Sequence, residues 1–285
     1  MQFMTGNTLS IVSNRISYIY DLRGPSFTVD PACSSSLVAL HEAISAIESG
    51  QIDTAIVCGV SLLLSPFAFI GFSRATMLSP TGLCQAFDAN GDGYVRSEGG
   101  VAIVLRSNRA KALNGARSHA KILASGINAD GRTVGLSLPS PYAQADLLRE
   151  MYDGLGIDPN ALAFVEAHGT GTRVGDPAEA DALGKVIGQK RSDVLPIGSV
   201  KTNVGHLEPV SGLVGLVKSL LALKHDTLPK SLHFNTPNPD IPFEELNLKV
   251  ASEQIALARS DKPRLAGINS FGFGGHNVAL AFGKY

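Results

Sequence analysis

Short apolar runs of strand length alternate along this chain with spans of helical spacing, and the later runs end in loops rich in glycine and histidine. That alternation predicts α/β layers with parallel central strands. Residues 8–20 carry apolar side chains at helical spacing through Leu9, Val12 and Ile16, and residues 26–30 read as a short strand. The continuous apolar runs 54–64 and 101–106 read as strands buried on both faces. Residues 65–87, punctuated by Pro66, Pro80 and Gly82, read as a long loop, and 108–115 as a short surface helix and connector. The style then repeats. Strands are expected at 120–128, 163–167, 195–200 and 248–250, with helices at 144–155, 177–187 and 211–224. A Pro-rich excursion fills 226–250, and 265–270 with 277–282 form a closing hairpin. Two halves result, 1–115 and 116–285, with a seam near 108–120.

At 44% apolar and 17% charged residues, the 285-residue chain is globular, and its length suits one large domain or two smaller ones. A net charge of −1 and the lack of any Lys/Arg tract argue against a nucleic-acid partner. No apolar run approaches ~18 residues, so no membrane-spanning helix is expected. The first residues, MQFMTGNTLS, have no signal-peptide pattern. Three scattered cysteines, Cys33, Cys58 and Cys84, make no disulfide framework, so a reducing cytoplasm is the simplest compartment.

Cys33 lies where an extended run yields to a helix. Asp30 and Pro31 block helix before it, Leu37, Leu40, Ile44 and Ile47 fall on one helical face after it, and Gly50 stops the helix. A thiol at a helix N-terminus meets unpaired N–H groups and the helix dipole, which favour its thiolate. The plain alternative is a small buried residue in a tight turn.

Three further segments carry chemistry. In VEAHGTGT (165–172), His168 stands at the carboxyl end of a strand, where open α/β sheets place ligands. In SVKTNVGH (199–206), a second strand end delivers Lys201 and His206. A solvated lysine and a capping histidine would be the ordinary reading, but two successive strand-end histidines can reach one cleft. FGFGGH (271–276) joins two strands rather than a strand and a helix, so the phosphate-binding logic of glycine-rich loops does not apply. DANGDG (88–93) resembles the start of a calcium loop, but the twelfth position is Gly99, so a polar turn is expected. No Cys-x-x-Cys or His-x-x-x-His pair seeds a zinc site, and no metal is expected. A helix-terminal cysteine, two histidines and a lysine amount to a covalent nucleophile with stabilisers for an oxyanion or enolate. A cysteine-dependent hydrolase and a cysteine-dependent acyl transferase both remain open on these residues.

The segments DPACSSSLVA (30–39), EAHGTGTRVGDPAE (166–179), KTNVGHLEPVSGLVGLVK (201–218) and NSFGFGGHN (269–277), with MLSPTGLCQAFDANGDGYVRSEG (77–99), resemble a β-ketoacyl synthase, the condensing domain of polyketide and fatty acid synthases. Asp30-Pro31 departs from the usual Asp-Thr. The resemblance implies a thiolase-like fold of two similar halves in α-β-α-β-α layers. The nucleophile comes so early here that the first half is expected to be incomplete. It further implies that Cys33 takes an acyl chain as a thioester from an acyl carrier protein, whose phosphopantetheine arm carries the substrate; no cofactor is bound by the domain itself. His168 and His206 would hold the malonyl-type thioester carbonyl and stabilise the enolate formed on loss of CO2. Lys201 would position the site, with Glu179 its partner. The N–H groups of Cys33 and Phe273 would form the oxyanion hole. The Phe273 ring would gate the acyl pocket, Thr170 and Thr172 would bind the phosphopantetheine arm, and Phe271 would contact substrate. A cytoplasmic homodimer is implied.

The competing readings are a non-catalytic fragment of such a synthase and a thiolase-type transfer through a second cysteine. The latter is disfavoured because Cys58 falls in a strand expected to be buried and Cys84 lies far in sequence from the 271–276 loop.

Overall fold

The computed structural model describes residues 2–110, 118–257 and 263–284. In chain order come α1 (Gln2–Asn7), α2 (Ser10–Tyr20), α3 (Ser35–Glu48), β1 (Thr54–Ser61), α4 (Phe67–Arg74) and β2 (Gly99–Arg106). They are followed by β3 (Lys121–Ala129), α5 (Pro141–Tyr152), β4 (Leu162–Glu166), α6 (Gly175–Val186), β5 (Leu195–Gly198) and α7 (Lys201–Val204). The remainder comprises α8 (Ser211–Lys224), β6 (Thr227–Leu228), β7 (Leu248–Val250), β8 (Ile255–Ala256), β9 (Arg264–Phe271) and β10 (His276–Lys284).

Six strands form one sheet in the order β3-β10-β9-β4-β5-β7. The set β9, β4, β5 and β7 is parallel, whereas β10 runs antiparallel to both β9 and β3. The sheet is therefore mixed rather than wholly parallel, because the hairpin that closes the chain must reverse direction. Side chains of β10 alternate between two cores. Ala279 and Ala281 face α5 and α6, while Val278, Leu280 and Phe282 face α3 and α8. Beyond α3 lies the antiparallel pair β1–β2, so the described residues stack as α-β-α-β.

Several expectations need correction. The runs at 54–64 and 101–106 hold strands, the first ending at Ser61, but among the described residues they are covered on one face only: Ala55, Val57, Val101, Ile103 and Leu105 join the α3 core, while Ile56, Val60 and Val104 are exposed. An all-apolar run does not by itself reveal whether a second layer covers it. Cys58 is consequently exposed, not buried. The stretch 26–30 forms no strand among the described residues. The expected loop 65–87 contains α4, with Pro66 at the position just before its first residue, where a proline starts a helix rather than breaking one. Helix α5 begins three residues earlier than expected, because Ser140 accepts from the Ala143 N–H and Pro141 occupies the first turn. Most of the connector expected at 108–115 lies outside the described residues, as does part of the 108–120 seam. Asp88 is 1% exposed and accepts the N–H groups of Asn90, Asn235 and Thr236, so the calcium-like segment is a turn organised by its own carboxylate. Among the described residues no helix is long and apolar enough to cross a membrane, and no cluster of side chains is arranged to hold a metal ion.

Candidate active site

Cys33 sits in a single 3-10 turn, Ala32–Ser34, that runs directly into α3. The turn is entered through Ala32 at φ +56°, a left-handed conformation that costs a residue with a side chain about 1 kcal/mol or more. Local bonds hold it. Asp30 accepts from the Ala32 N–H at 3.1 Å, and Ser34 donates to the Pro31 carbonyl at 3.0 Å. Remote hydroxyls hold it as well, since Ser211 and Ser270 both donate to the Cys33 carbonyl, at 3.2 and 2.9 Å. Gly272 approaches so closely that a Cβ there would lie 2.5 Å from the Pro31 carbonyl oxygen. That contact explains glycine in the 271–276 loop: it lets the backbone close over the cysteine turn.

The two histidines converge on the sulfur. His206 Nε2 is 3.2 Å from Cys33 Sγ, and the His168 and His206 rings are 5.5 Å apart and nearly perpendicular. Each ring accepts a backbone N–H at Nδ1, His206 from Glu208 at 3.2 Å and His168 from Phe271 at 3.3 Å. A neutral imidazole that accepts at Nδ1 carries its proton on Nε2. Burial, with Lys201 nearby, holds both histidines well below the usual imidazole range, so they are neutral N–H donors at neutral pH. His206 is fixed further by bonds from its own N–H to Val95 and from Ser97 to its carbonyl, and by the Tyr94 ring at 4.9 Å.

The helix-start argument alone favours a thiolate, but the structure places a larger effect against it. Burial pushes the Cys33 thiol up to about 11, opposed by Lys201 and by the N–H groups of Phe273 and Cys33 itself. The resting cysteine is a thiol whose anion is met by N–H donors once formed.

Lys201 is 4% exposed, and its Nζ donates to the His168 carbonyl at 2.5 Å. It therefore does not pair directly with Glu179, as the sequence suggested. Glu179 instead accepts from the His168 and Gly169 N–H groups, both at 2.8 Å, and from Asn269 at 3.0 Å. The two residues grip the same peptide segment from opposite sides. Asp176, pushed up to about 7 by burial, accepts from the Thr170, Gly171 and Phe87 N–H groups and fixes the next turn of that loop.

A cavity of about 1160 Å³ opens over the site, lined by Cys33, His168, His206, Thr170, Thr172 and Phe273 among others. The Thr170 and Thr172 hydroxyls are 3.0 Å apart. Phe271 is 8% exposed and lies 5.7 Å from the His168 ring, whereas Phe273 is 46% exposed and meets Phe72 edge-on at 5.9 Å. Every site residue expected from sequence thus lies at or behind one cavity. Sequence reasoning missed Ser211, Ser270, Glu166, and the Arg96–Glu208 pair beside His206. Short distance in sequence from His168, His206 and the 271–276 loop pointed to Glu166, Glu208, Ser211 and Ser270, but nothing in the sequence pointed to Arg96.

Residues 1–110 match the β-ketoacyl synthase N-terminal domain, 119–235 its C-terminal domain and 237–282 the ketoacyl-synthetase C-terminal extension. The phenolphthiocerol/phthiocerol polyketide synthase of Mycobacterium tuberculosis is 49% identical over 96% of this chain, which spans 15% of that protein. The hybrid PKS-NRPS synthetase pytA of Aspergillus terreus is 45% identical over 99% of this chain and 43% of its own length. Among solved structures, the ketosynthase from module 6 of the bacillaene synthase of Bacillus subtilis superposes with a TM-score of 0.95 at 42% identity, covering 99% of this chain and 51% of that one. This chain belongs to the β-ketoacyl synthase family and has its thiolase-like fold.

Proposed function

We propose that the chain is the condensing part of a polyketide-type β-ketoacyl synthase, an acyltransferase that joins an acyl group on Cys33 to a malonyl-type extender carried by an acyl carrier protein. The observation that carries the reading is the pair of neutral Nε2–H donors, His168 and His206, held beside a half-buried thiol. A hydrolase needs a base that activates water. Histidines committed as donors and kept neutral by burial suit an enolate oxygen instead.

In the first step Cys33 Sγ attacks the carbonyl of an acyl thioester. A C–S bond forms, and the carrier thiol leaves with the proton that Cys33 gives up. The malonyl-type thioester then loses CO2. The electron pair of the broken C–C bond becomes an enolate whose oxygen is held by the two Nε2–H groups. The enolate carbon attacks the Cys33 thioester carbonyl, and the resulting oxyanion is met by the N–H groups of Cys33 and Phe273. Collapse expels Sγ, which regains a proton, and frees the β-ketoacyl product. Lys201 and Glu179 keep the His168 peptide in place. Thr170 and Thr172 bind the phosphopantetheine arm, Phe271 backs the substrate, and Phe273 gates the acyl pocket. The polyketide synthases among the relatives favour a polyketide product over a fatty acid. A cytoplasmic homodimer served by an acyl carrier protein belongs to the same reading.

Replacing His168 by Ala tests the roles. Condensation is expected to fall about 10²–10³-fold, while Cys33 still acquires its acyl group by intact mass. Unchanged condensation would remove His168 from the enolate site.

A further inference from the structure

Glu166 ends β4, two residues before His168, and is 2% exposed. Its carboxylate serves two other elements. One oxygen accepts the Val200 N–H at 2.5 Å, immediately before Lys201, and the other meets Lys218 Nζ on α8 at 2.6 Å. The Glu166 and Lys218 side chains are 3% and 9% exposed, so this is a buried ion pair. Helix α8 comes close enough for it because residue 215 is glycine; a Cβ there would lie 3.1 Å from Glu166 Cγ.

We propose that Glu166, paired with Lys218, is a positioning residue for condensation that locks the His168 strand end, the loop of Lys201 and His206, and α8 into one arrangement. The proposal rests on the ketosynthase reading above. Each of the three segments delivers part of the site. Strand β4 leads to His168, the Val200 peptide starts the turn that holds Lys201 and leads to His206, and α8 begins at Ser211, which bonds the Cys33 carbonyl. Apolar packing of equal volume is commonly as stabilising as a buried ion pair, so stability alone does not account for charge at this point. Charge has a further use here. The groups that face Lys201 are Glu166 on β4, Glu179 on α6, Cys33, Cys84, His168 and His206. Burial disfavours the Lys201 ammonium, and Glu166 is the strongest of the charges opposing that effect, ahead of Glu179.

The test compares the unmodified protein with E166Q and the double variant E166Q/K218M, which leaves no orphaned charge. Condensation from acyl and malonyl thioesters is measured against pH, with thermal melting alongside. E166Q is expected to lower kcat by about ten- to a hundredfold with KM within about twofold. Without the neighbouring carboxylate, Lys201 loses its proton at lower pH, so the alkaline limb of the kcat profile moves to lower pH. In the double variant melting recovers, but kcat and the limb stay displaced. Return of both to the parental values once melting recovers would show a structural pair only and overturn the proposal. Should the double variant fold poorly, the limb of E166Q alone decides, because a loss of folded protein lowers amplitude without moving a limb. An unmoved limb overturns the proposal and leaves the ketosynthase reading standing; no condensation by the unmodified protein overturns both.

Discussion

In β10, Val278, Leu280 and Phe282 are 1%, 1% and 0% exposed, whereas Ile56, Val60 and Val104 in β1 and β2 are 47%, 52% and 61% exposed. Both sets are apolar, and both belong to strands next to α3. The six-stranded sheet is covered on each face, and its strand ends and closing hairpin carry His168, Lys201, His206 and the Gly272–Phe273 turn. Among the described residues the β1–β2 pair is covered on one face, by α3 and by Leu207 and Val210 ahead of α8, and it backs the helix that follows Cys33. The nucleophile therefore comes from one half of the chain and both histidines from the other, while Tyr94, Val95 and Ser97 of the first half hold His206 in place.

That division sets the size of mutational effects. Leu280→Ala opens a cavity between the large sheet and α3, and is expected to cost about 2–5 kcal/mol, read as a lower denaturation midpoint at unchanged slope. Lys201→Met removes the ammonium that opposes the effect of burial on Cys33, so alkylation of Cys33 by iodoacetamide near neutral pH is expected to be slower than in the unmodified protein. An unchanged or faster rate would show that Lys201 does not act on the thiol. The smallest effect belongs to the open face: Val104→Ala is expected to stay within about 0.5 kcal/mol. A cost for Val104→Ala approaching that of Leu280→Ala would mean that the outer face of β1–β2 is covered in solution, and the contrast between the sheets would fail.

The sequence was most legible where local pattern and tertiary role coincide. Helix α8 has the expected bounds, and the closing hairpin forms where two short apolar runs flank a glycine loop. Cys33, His168, Lys201 and His206 were recognisable because each lies where a strand or helix meets a loop, and the resemblance gave their roles. The one-sided burial of β1 and β2 was illegible, since alternation disappears when the exposed face is apolar too. Glu166, Ser211 and Ser270 were hidden for another reason. They bond backbone groups far away in sequence, and a carboxylate or hydroxyl gives no sign of which peptide it will meet. Glu179 shows the same limit: its identity was read, but the peptide N–H groups it holds were not.

The most direct test follows Cys33 by intact-protein mass. The protein is first mixed with an acyl thioester and then with a malonyl thioester. A single acyl adduct on Cys33 is expected, and it should disappear on malonyl addition as a β-ketoacyl product two carbons longer forms. An adduct that persists, or that leaves as the free acid, would contradict condensation at this site.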